Sequence, residues 1–362
     1  YELWIPILNG GRCYLSSQEE VTPESMRQDI LLGGLTNVFV TAALFHYFAV
    51  HDPGCFNGLQ EVWTGGEVVH SDAIKAVQAA CPNLTVVDVY GPTEATVFST
   101  YCSFGPGDII PDSPPIGKPV NRWYSLVLDS RMQIVPAGVP GELYIGGPGL
   151  AQGYLNRPDL TAESFVADPF SDDGSRLYRT GDKVRLLPDG NLEWLSRIDQ
   201  QVKIRGFRIE LGEIEQVLEK YRGVRQAVVV LDEKGPSKRL VAFVVSGGEL
   251  EESELRAFMG EHLPNYMMPS MIVKVDALPM GVTGKVDRRL LADMIPSDAG
   301  VEYVGARNAV EEKLSAVWKE VMGLDKPVGI SDDFFALGGD SILSLQIVFR
   351  AKQEGIHMTV KQ

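Results

Sequence analysis

The sequence predicts an α/β fold followed by an α+β lobe and a helical unit, and three observations support this prediction. Short β-branched runs at residues 37–41 and 85–89 alternate with a helical pattern at Ser71–Ala80, as in strands joined by crossover helices. Between residues 111 and 190, short strands separated by Gly/Pro turns indicate a β-rich subdomain. Beyond residue 197, strands and helices alternate in a compact lobe, and an amphipathic helix follows at residues 309–322.

These changes of texture predict the domain boundaries. A first domain is expected at residues 1–197 and a small α+β lobe at 198–294. Residues 295–308, rich in Gly, Pro, Ser and Asp, are expected to be a linker before a helical domain at 309–362. The chain begins with a segment typical of the interior of an element, so we expect a fragment of a longer polypeptide.

Composition and charge exclude several classes of protein. The 362 residues carry a net charge of −15, which argues against a nucleic-acid-binding surface. No apolar run is long enough to span a bilayer. The four cysteines are far apart and form no Cys-x-x-Cys pair, so we expect neither a disulfide framework nor a zinc site, and a reducing cytoplasm is the predicted compartment.

A first candidate site follows the buried strand at residues 85–89. Tyr90 offers a ring for stacking, Thr93 a hydroxyl, and Glu94 a carboxylate suited to a divalent cation. Gly91 and Pro92 enforce a turn at the carboxyl end of the strand, where open α/β sheets bind ligands. An ordinary turn between strand and helix is the alternative interpretation.

Three further residues are candidates, each with a structural alternative. Asp182 follows Gly181, and a carboxylate after such a turn can accept bonds from paired ribose hydroxyls or simply cap the turn. Lys285 is a lysine on a glycine turn late in the small lobe. Ser341 follows two glycines and an aspartate at the start of an apolar-periodic helix. That position suits a serine carrying a phosphodiester-linked arm, and equally a helix N-cap.

The order and spacing of these motifs resemble the adenylation domains of nonribosomal peptide synthetases, followed by a peptidyl carrier (thiolation) domain. These enzymes belong to the acyl-adenylate-forming superfamily that includes the acyl-CoA ligases. The resemblance implies that residues 1–197 are the C-terminal part of the adenylation core, and that 198–294 are its small lobe. It also implies that the segment before Tyr1 and the last carrier helix lie outside this sequence.

The resemblance implies ATP, Mg²⁺ and 4′-phosphopantetheine as cofactors and assigns a role to each matching residue. Lys285, Thr93 and Glu94 are the implied catalytic residues, with Glu94 as the metal ligand. Asp199 matches the hinge between the lobes, and Ser341 matches the attachment site of 4′-phosphopantetheine. The residues implied to bind ATP are Asp88, Tyr90, Gly91, Thr93, Asp182, Arg197 and Lys285.

Family positions also imply a substrate pocket whose side chains carry no charge apart from Lys285, so a neutral, hydrophobic amino acid is expected. The implied lining residues are Tyr1, Val40, Trp63, Gly65, Val89, Val97 and Phe98.

The implied partners are a phosphopantetheinyl transferase, neighbouring condensation or epimerisation domains, and a small MbtH-like protein contacting residues 164–169. No nucleic acid or membrane partner is expected. Two alternatives remain open: a ligase that forms acyl-CoA from a free acid, and a degenerate scaffold module without catalysis.

Overall fold

The structure is a computed structural model that describes most of the chain. The described residues are 2–18, 21–204, 206–234, 238–248, 250–281, 286–296, 303–324, 326–332, 334, 337, 339 and 341–359. Two compact units make up the chain, Tyr1–Asp199 and Gln200–Gln362.

The first unit combines helices with two sheets. Its helices are α1 (Trp4–Leu8), α2 (Pro23–Gly33), α3 (Ala42–His51), α4 (Ser71–Ala80) and α5 (Pro158–Ser164). Its strands are β1 (Asn37–Thr41), β2 (Glu61–Gly65), β3 (Thr85–Tyr90), β4 (Thr100–Phe104), β5 (Lys118–Pro119), β6 (Tyr124–Leu128), β7 (Gly141–Gly146), β8 (Phe165–Ala167), β9 (Arg176–Leu186) and β10 (Leu192–Arg197).

The first sheet has the order β1-β2-β3-β4-β5 and is mixed. Strands β1 to β3 are parallel, with α3 and α4 as crossover helices, whereas β4 runs antiparallel to β3. The apolar side chains of Val62, Ile74, Val77 and Val86 are fully buried. This burial explains the β-branched runs in the sequence, because strands covered by helices must be apolar.

The second sheet is antiparallel and has the order β10-β9-β7-β6, with β8 added to β9. Strand β9 runs through Gly181, which has a φ of +72°. The expected glycine turn before Asp182 was therefore wrong. The neighbouring strands accommodate the kink, because the register shifts where β7 and β10 pair with this part of β9.

The second unit contains the small lobe and the helical segment. Its strands are β11 (Gln201–Ile204), β12 (Phe207–Glu210), β13 (Val224–Asp232), β14 (Arg239–Ser246) and β15 (Met271–Lys274). Its helices are α6 (Leu211–Lys220), α7 (Glu252–His262), α8 (Arg288–Asp293), α9 (Ala309–Val321) and α10 (Ser341–Gln353).

Alternating side chains of β13 build two cores in the small lobe. Ala227 and Val229 pack with α6 and α7 on one face of the β13-β14-β15 sheet. Val228 and Val230 pack against α8 on the other face. The period of two in the strand therefore gives this lobe a helix layer on each side.

Helices α9 and α10 pack through a small apolar core that includes Val317, Met322, Leu343 and Ile347. The predicted α/β and α+β class with a helical C-terminal segment is confirmed by these elements. In the part of the chain that the structure describes, every helix is too short or too polar to cross a bilayer.

Candidate functional site

Gly91 lets the chain turn tightly at the end of β3. A Cβ atom at this position would lie 2.2 Å from the carbonyl oxygen of Val97, so a side chain would displace the backbone there. The backbone N–H of Ser99 donates to the carbonyl oxygen of Tyr90 at 2.8 Å and closes the loop. Tyr90 and Glu94 therefore both follow the carboxyl end of β3, the edge where open α/β sheets bind ligands.

Asp182 lies at the centre of a buried group of side chains, the Asp182 cluster, formed by Tyr90, Asp182, Trp194 and Arg197. The Tyr90 hydroxyl donates to Oδ2 of Asp182 at 2.5 Å, and the Trp194 indole N–H donates to Oδ1 at 2.8 Å. Nη1 of Arg197 is 3.1 Å from Oδ2. These three donors occupy part of a carboxylate's capacity of about four hydrogen bonds, so the site fits a further ligand hydroxyl.

The donors of the Asp182 cluster are themselves held in place. Burial and the neighbouring carboxylate raise the pKa of Tyr90 well above its usual value, so Tyr90 stays a donor at physiological pH. Arg197 also donates to the carbonyl oxygen of Thr180 at 2.9 Å, and its Nε donates to Oδ1 of Asp199 at 2.8 Å. The predicted hinge residue Asp199 thus contacts a residue of the cluster through one arginine.

Asp88 lies two residues before Tyr90 on β3 and is 5% exposed. Burial raises the pKa of its carboxyl group to about 8, so the group is largely protonated at neutral pH. Thr64 is opposite Asp88 in the strand register. Its buried hydroxyl has no hydrogen-bond partner among the described residues. This pair of polar groups within an apolar sheet is compatible with the predicted contact to a purine edge.

Glu94 is buried, whereas Thr93 beside it is exposed. The Tyr154 hydroxyl donates to Oε1 of Glu94 at 2.5 Å. A carboxylate can accept this bond and still ligate a cation through its remaining lone pairs. Magnesium in proteins is usually bound by one or two carboxylates together with substrate phosphates, so Glu94 fits the implied cation.

One face of the first sheet gathers most of the predicted substrate-pocket residues. Trp63, Gly65 and Val89 alternate onto the same face, and the Phe98 ring lies 6.0 Å from the Trp63 ring. Val40 pairs with Thr64 in the register and therefore points to the opposite, helix-covered face, which separates it from the other lining residues.

Phe39 takes the place expected for Val40. It pairs with Trp63 in the register, and its ring lies 5.6 Å from that of Phe98. Val97 follows the same loop and is 40% exposed.

Some predicted site residues lie outside the described structure. Tyr1 and Lys285 are not among the described residues, and neither is Asp340 before the predicted attachment serine. Helix α10 begins at Ser341, although the side chain of that residue is not described.

Comparison with known proteins identifies the domains. Residues 1–155 match the family model of the AMP-binding enzymes, and residues 213–285 match that of the AMP-binding enzyme C-terminal domain. Residues 312–362 match the phosphopantetheine attachment site. The chain aligns over its full length with a linear gramicidin synthase of Brevibacillus parabrevis, at 45% identity over 372 residues. The chain belongs to the nonribosomal peptide synthetases, as adenylation and carrier domains.

Other synthetases and solved structures agree with this assignment. The Dimodular nonribosomal peptide synthase of Bacillus subtilis (strain 168) is 42% identical over 354 residues. The structure of holo-PA1221, described as an NRPS protein containing adenylation and PCP domains, superposes with a TM-score of 0.79 at 31% identity. That alignment covers 96% of this chain and 57% of PA1221.

The chain spans only a small part of its synthetase relatives. It covers 7% of the linear gramicidin synthase and 15% of the Bacillus subtilis synthase.

Within this adenylation–carrier chain, sequence reasoning missed three residues that the structure brings to the site: Phe39, Tyr154 and Trp194. A signal existed for Trp194. Pro188, Asp189 and Gly190 form a turn between two strand-like runs, which predicts a hairpin and places Arg197 opposite Asp182. Tyr154 had no such signal, because it reaches Glu94 across 60 residues.

Proposed function

We propose that this protein activates an amino acid with ATP as aminoacyl-AMP and transfers it to the thiol of 4′-phosphopantetheine on Ser341. The observation that carries this proposal is the Tyr90–Asp182 contact at the carboxyl end of β3, in a chain that also matches the phosphopantetheine attachment site. A ligase that makes free acyl-CoA would not need an attached carrier, which argues against that alternative.

In the first half-reaction, a carboxylate oxygen of the amino acid attacks the α-phosphorus of ATP, and pyrophosphate leaves. Tyr90 and Asp88 would contact the adenine, and Asp182 with Arg197 would bind the ribose. Thr93 would donate to a phosphate oxygen from its exposed position. Lys285 would neutralise charge between the substrate carboxylate and the α-phosphate, since two anions must approach there.

Glu94 would hold Mg²⁺ next to the phosphates. When bound, the cation offsets the charge that develops on the departing pyrophosphate. Tyr154 would keep the Glu94 carboxylate oriented through its hydroxyl.

In the second half-reaction, the aminoacyl group leaves AMP and is carried on the second unit. When attached to Ser341, 4′-phosphopantetheine supplies the accepting thiol. Asp199 is proposed as the hinge that lets one active site serve both steps, and it is the last residue of the first unit.

The proposed substrate is a neutral amino acid with an apolar side chain. Phe39, Trp63, Val89 and Phe98 would line the pocket, and no ionised side chain is among them. We propose Phe39 in place of Val40, because only Phe39 shares a sheet face with Trp63.

The proposed partners are a phosphopantetheinyl transferase and neighbouring synthetase domains for condensation or epimerisation. An MbtH-like protein is a further proposed partner at residues 164–169. The expectation of a cytoplasmic enzyme stays a prediction from cysteine spacing.

Amino-acid-dependent exchange of pyrophosphate into ATP tests the proposal. The full-length protein, assayed across a panel of amino acids, should exchange pyrophosphate best with one or a few apolar amino acids. Asp182→Asn should weaken exchange by about tenfold or more, because the arginine and ribose contacts lose their charged acceptor. Wild-type protein without exchange for any amino acid would favour the scaffold interpretation.

A further inference from the structure

The turn that carries Thr93 and Glu94 ends in a strained residue. Thr96 has φ of +70° and ψ of −77°, and the N–H of Val97 donates to the carbonyl oxygen of Ala95 at 3.0 Å. This is a γ-turn of the rare strained kind, here at a β-branched residue. Such a conformation persists only where surrounding contacts enforce it.

A glycine-rich loop at residues 147–154, here called the clasp loop, supplies these contacts. The Thr96 hydroxyl donates to the carbonyl oxygen of Gly149 at 2.6 Å. The N–H of Ala151 donates to the carbonyl oxygen of Glu94 at 2.8 Å. The Tyr154 hydroxyl donates to the Glu94 carboxylate at 2.5 Å. Backbone and side chain of the turn are thus held by one loop.

The clasp loop is itself anchored to the second sheet and to α5. The Arg176 guanidinium donates to the carbonyl oxygens of Ala151 at 3.0 Å and of Gln152 at 2.9 Å. The N–H of Tyr154 donates to Oγ1 of Thr161 at 2.9 Å. The Tyr154 ring lies 5.8 Å from the Phe165 ring. Tyr154 is therefore held at its backbone and its ring as well as at its hydroxyl.

We infer that Tyr154 is a positioning residue for Glu94, and that the clasp loop sets the affinity of the turn for the divalent cation that accompanies the nucleotide. A hydroxyl bonded to a carboxylate is a strong charge-assisted contact, and it restricts the rotamers of Glu94 before any cation binds. Less side-chain entropy is then lost on binding. This inference rests on the proposed function, because it takes Glu94 as a metal ligand.

The test compares Tyr154→Phe with Tyr221→Phe in the full-length protein. Both variants lose one hydroxyl that donates to a glutamate, since Tyr221 donates to Glu254 at 3.1 Å in the small lobe. Binding of Mn²⁺ is titrated by electron paramagnetic resonance with a non-hydrolysable ATP analogue present. Pyrophosphate exchange is measured against Mg²⁺ concentration, and Tm is recorded for each protein.

Tyr154→Phe should weaken Mn²⁺ binding roughly tenfold and raise the Mg²⁺ concentration for half-maximal exchange by a similar factor, as is typical when the partner of a metal ligand is lost. The KM for the amino acid should change less than about twofold, because the pocket lies on another sheet face. Tyr221→Phe should leave Mn²⁺ binding at the wild-type value.

A second pair of variants keeps the inference testable if Tyr154→Phe folds poorly. Thr96→Val removes the hydroxyl bonded to Gly149 while keeping the side-chain shape, and it should weaken Mn²⁺ binding. Thr96→Ser keeps the hydroxyl and should restore binding. Wild-type Mn²⁺ affinity in both Tyr154→Phe and Thr96→Val would overturn the inference while leaving the proposed function intact. Wild-type protein that binds no Mn²⁺ with the analogue would instead overturn the proposed function, and the inference with it.

Discussion

Asp88 is a buried acid whose ionisation depends on folding. Its carboxyl group has a pKa of about 8 in the folded protein because burial disfavours the charged form. An aspartate in an unfolded chain has a pKa of about 3.9. Between these values the folded protein keeps a proton that the unfolded chain has lost. Stability therefore falls as pH rises through this window, by at most about 1.4 kcal/mol per pH unit.

Asp88→Asn should remove this pH-dependent loss, because a carboxamide does not ionise. We expect the variant to be more stable than the wild type at pH 8 and to lose that advantage near pH 4. Urea unfolding at a series of pH values measures the difference. Asp129→Asn is a matched control of opposite sign, since backbone hydrogen bonds from Gln133 and Arg131 lower the pKa of Asp129. A pH-independent advantage for Asp88→Asn would contradict this account.

At the residue scale, the sequence predicted side chains better than their contacts. Tyr90, Glu94 and Asp182 were singled out because their types suit nucleotide and metal chemistry, and the structure brings Tyr90 and Asp182 into contact. The sequence did not indicate that Tyr154 meets Glu94. Residue type expresses what a side chain can do, whereas its partner depends on the path of a loop.

Among the elements, α3 is tied to the loop before α4 by a histidine. The N–H of His70 donates to Nε2 of His46 at 3.0 Å, and the two rings lie 4.7 Å apart. Burial, together with the nearby His70, lowers the pKa of His46 to about 4. Nε2 must be unprotonated to accept this bond, so the contact requires neutral His46.

Acid should weaken this contact between elements. A histidine in an unfolded chain has a pKa of about 6.5. Between about pH 6.5 and 4 the unfolded chain therefore binds a proton that the folded protein does not, and stability is lost as pH falls through this window.

His46→Gln keeps an acceptor that cannot ionise, so its Tm should fall less than the wild-type Tm between pH 7.5 and pH 5. His262→Gln, at an exposed position on α7, serves as the control. Equal losses of Tm in wild type and His46→Gln would contradict the prediction.

The elements were predicted well where their pattern is strong. The runs at 37–41 and 71–80 match β1 and α4, because buried β-branched strands and amphipathic helices have clear periods. Strand β4 was missed because Thr100–Phe104 mixes polar and apolar residues at a partly exposed position. The face of β1 that carries the pocket was also missed, because a shift by one residue moves a side chain across the sheet.

For the whole molecule, the proposed function requires a carrier serine in the same chain as the activating site. Incubation of the full-length protein with CoA and a phosphopantetheinyl transferase should increase its mass by one phosphopantetheine group. Ser341→Ala should abolish the increase, because the attachment hydroxyl is lost. Ser344→Ala, on the same helix, should retain it. A mass gain that persists in Ser341→Ala would exclude Ser341 as the attachment site.

The sequence by itself determined the fold class, the family and the kinds of side chain available for chemistry. Those properties depend on local periodicity, turn residues and the order of motifs along the chain. Only the tertiary structure decided which of these side chains meet. Tyr90 contacts Asp182 across 92 residues, and Tyr154 contacts Glu94 across 60. Such contacts result from strand register and loop path, which depend on the packing of the whole unit rather than on any short stretch of sequence.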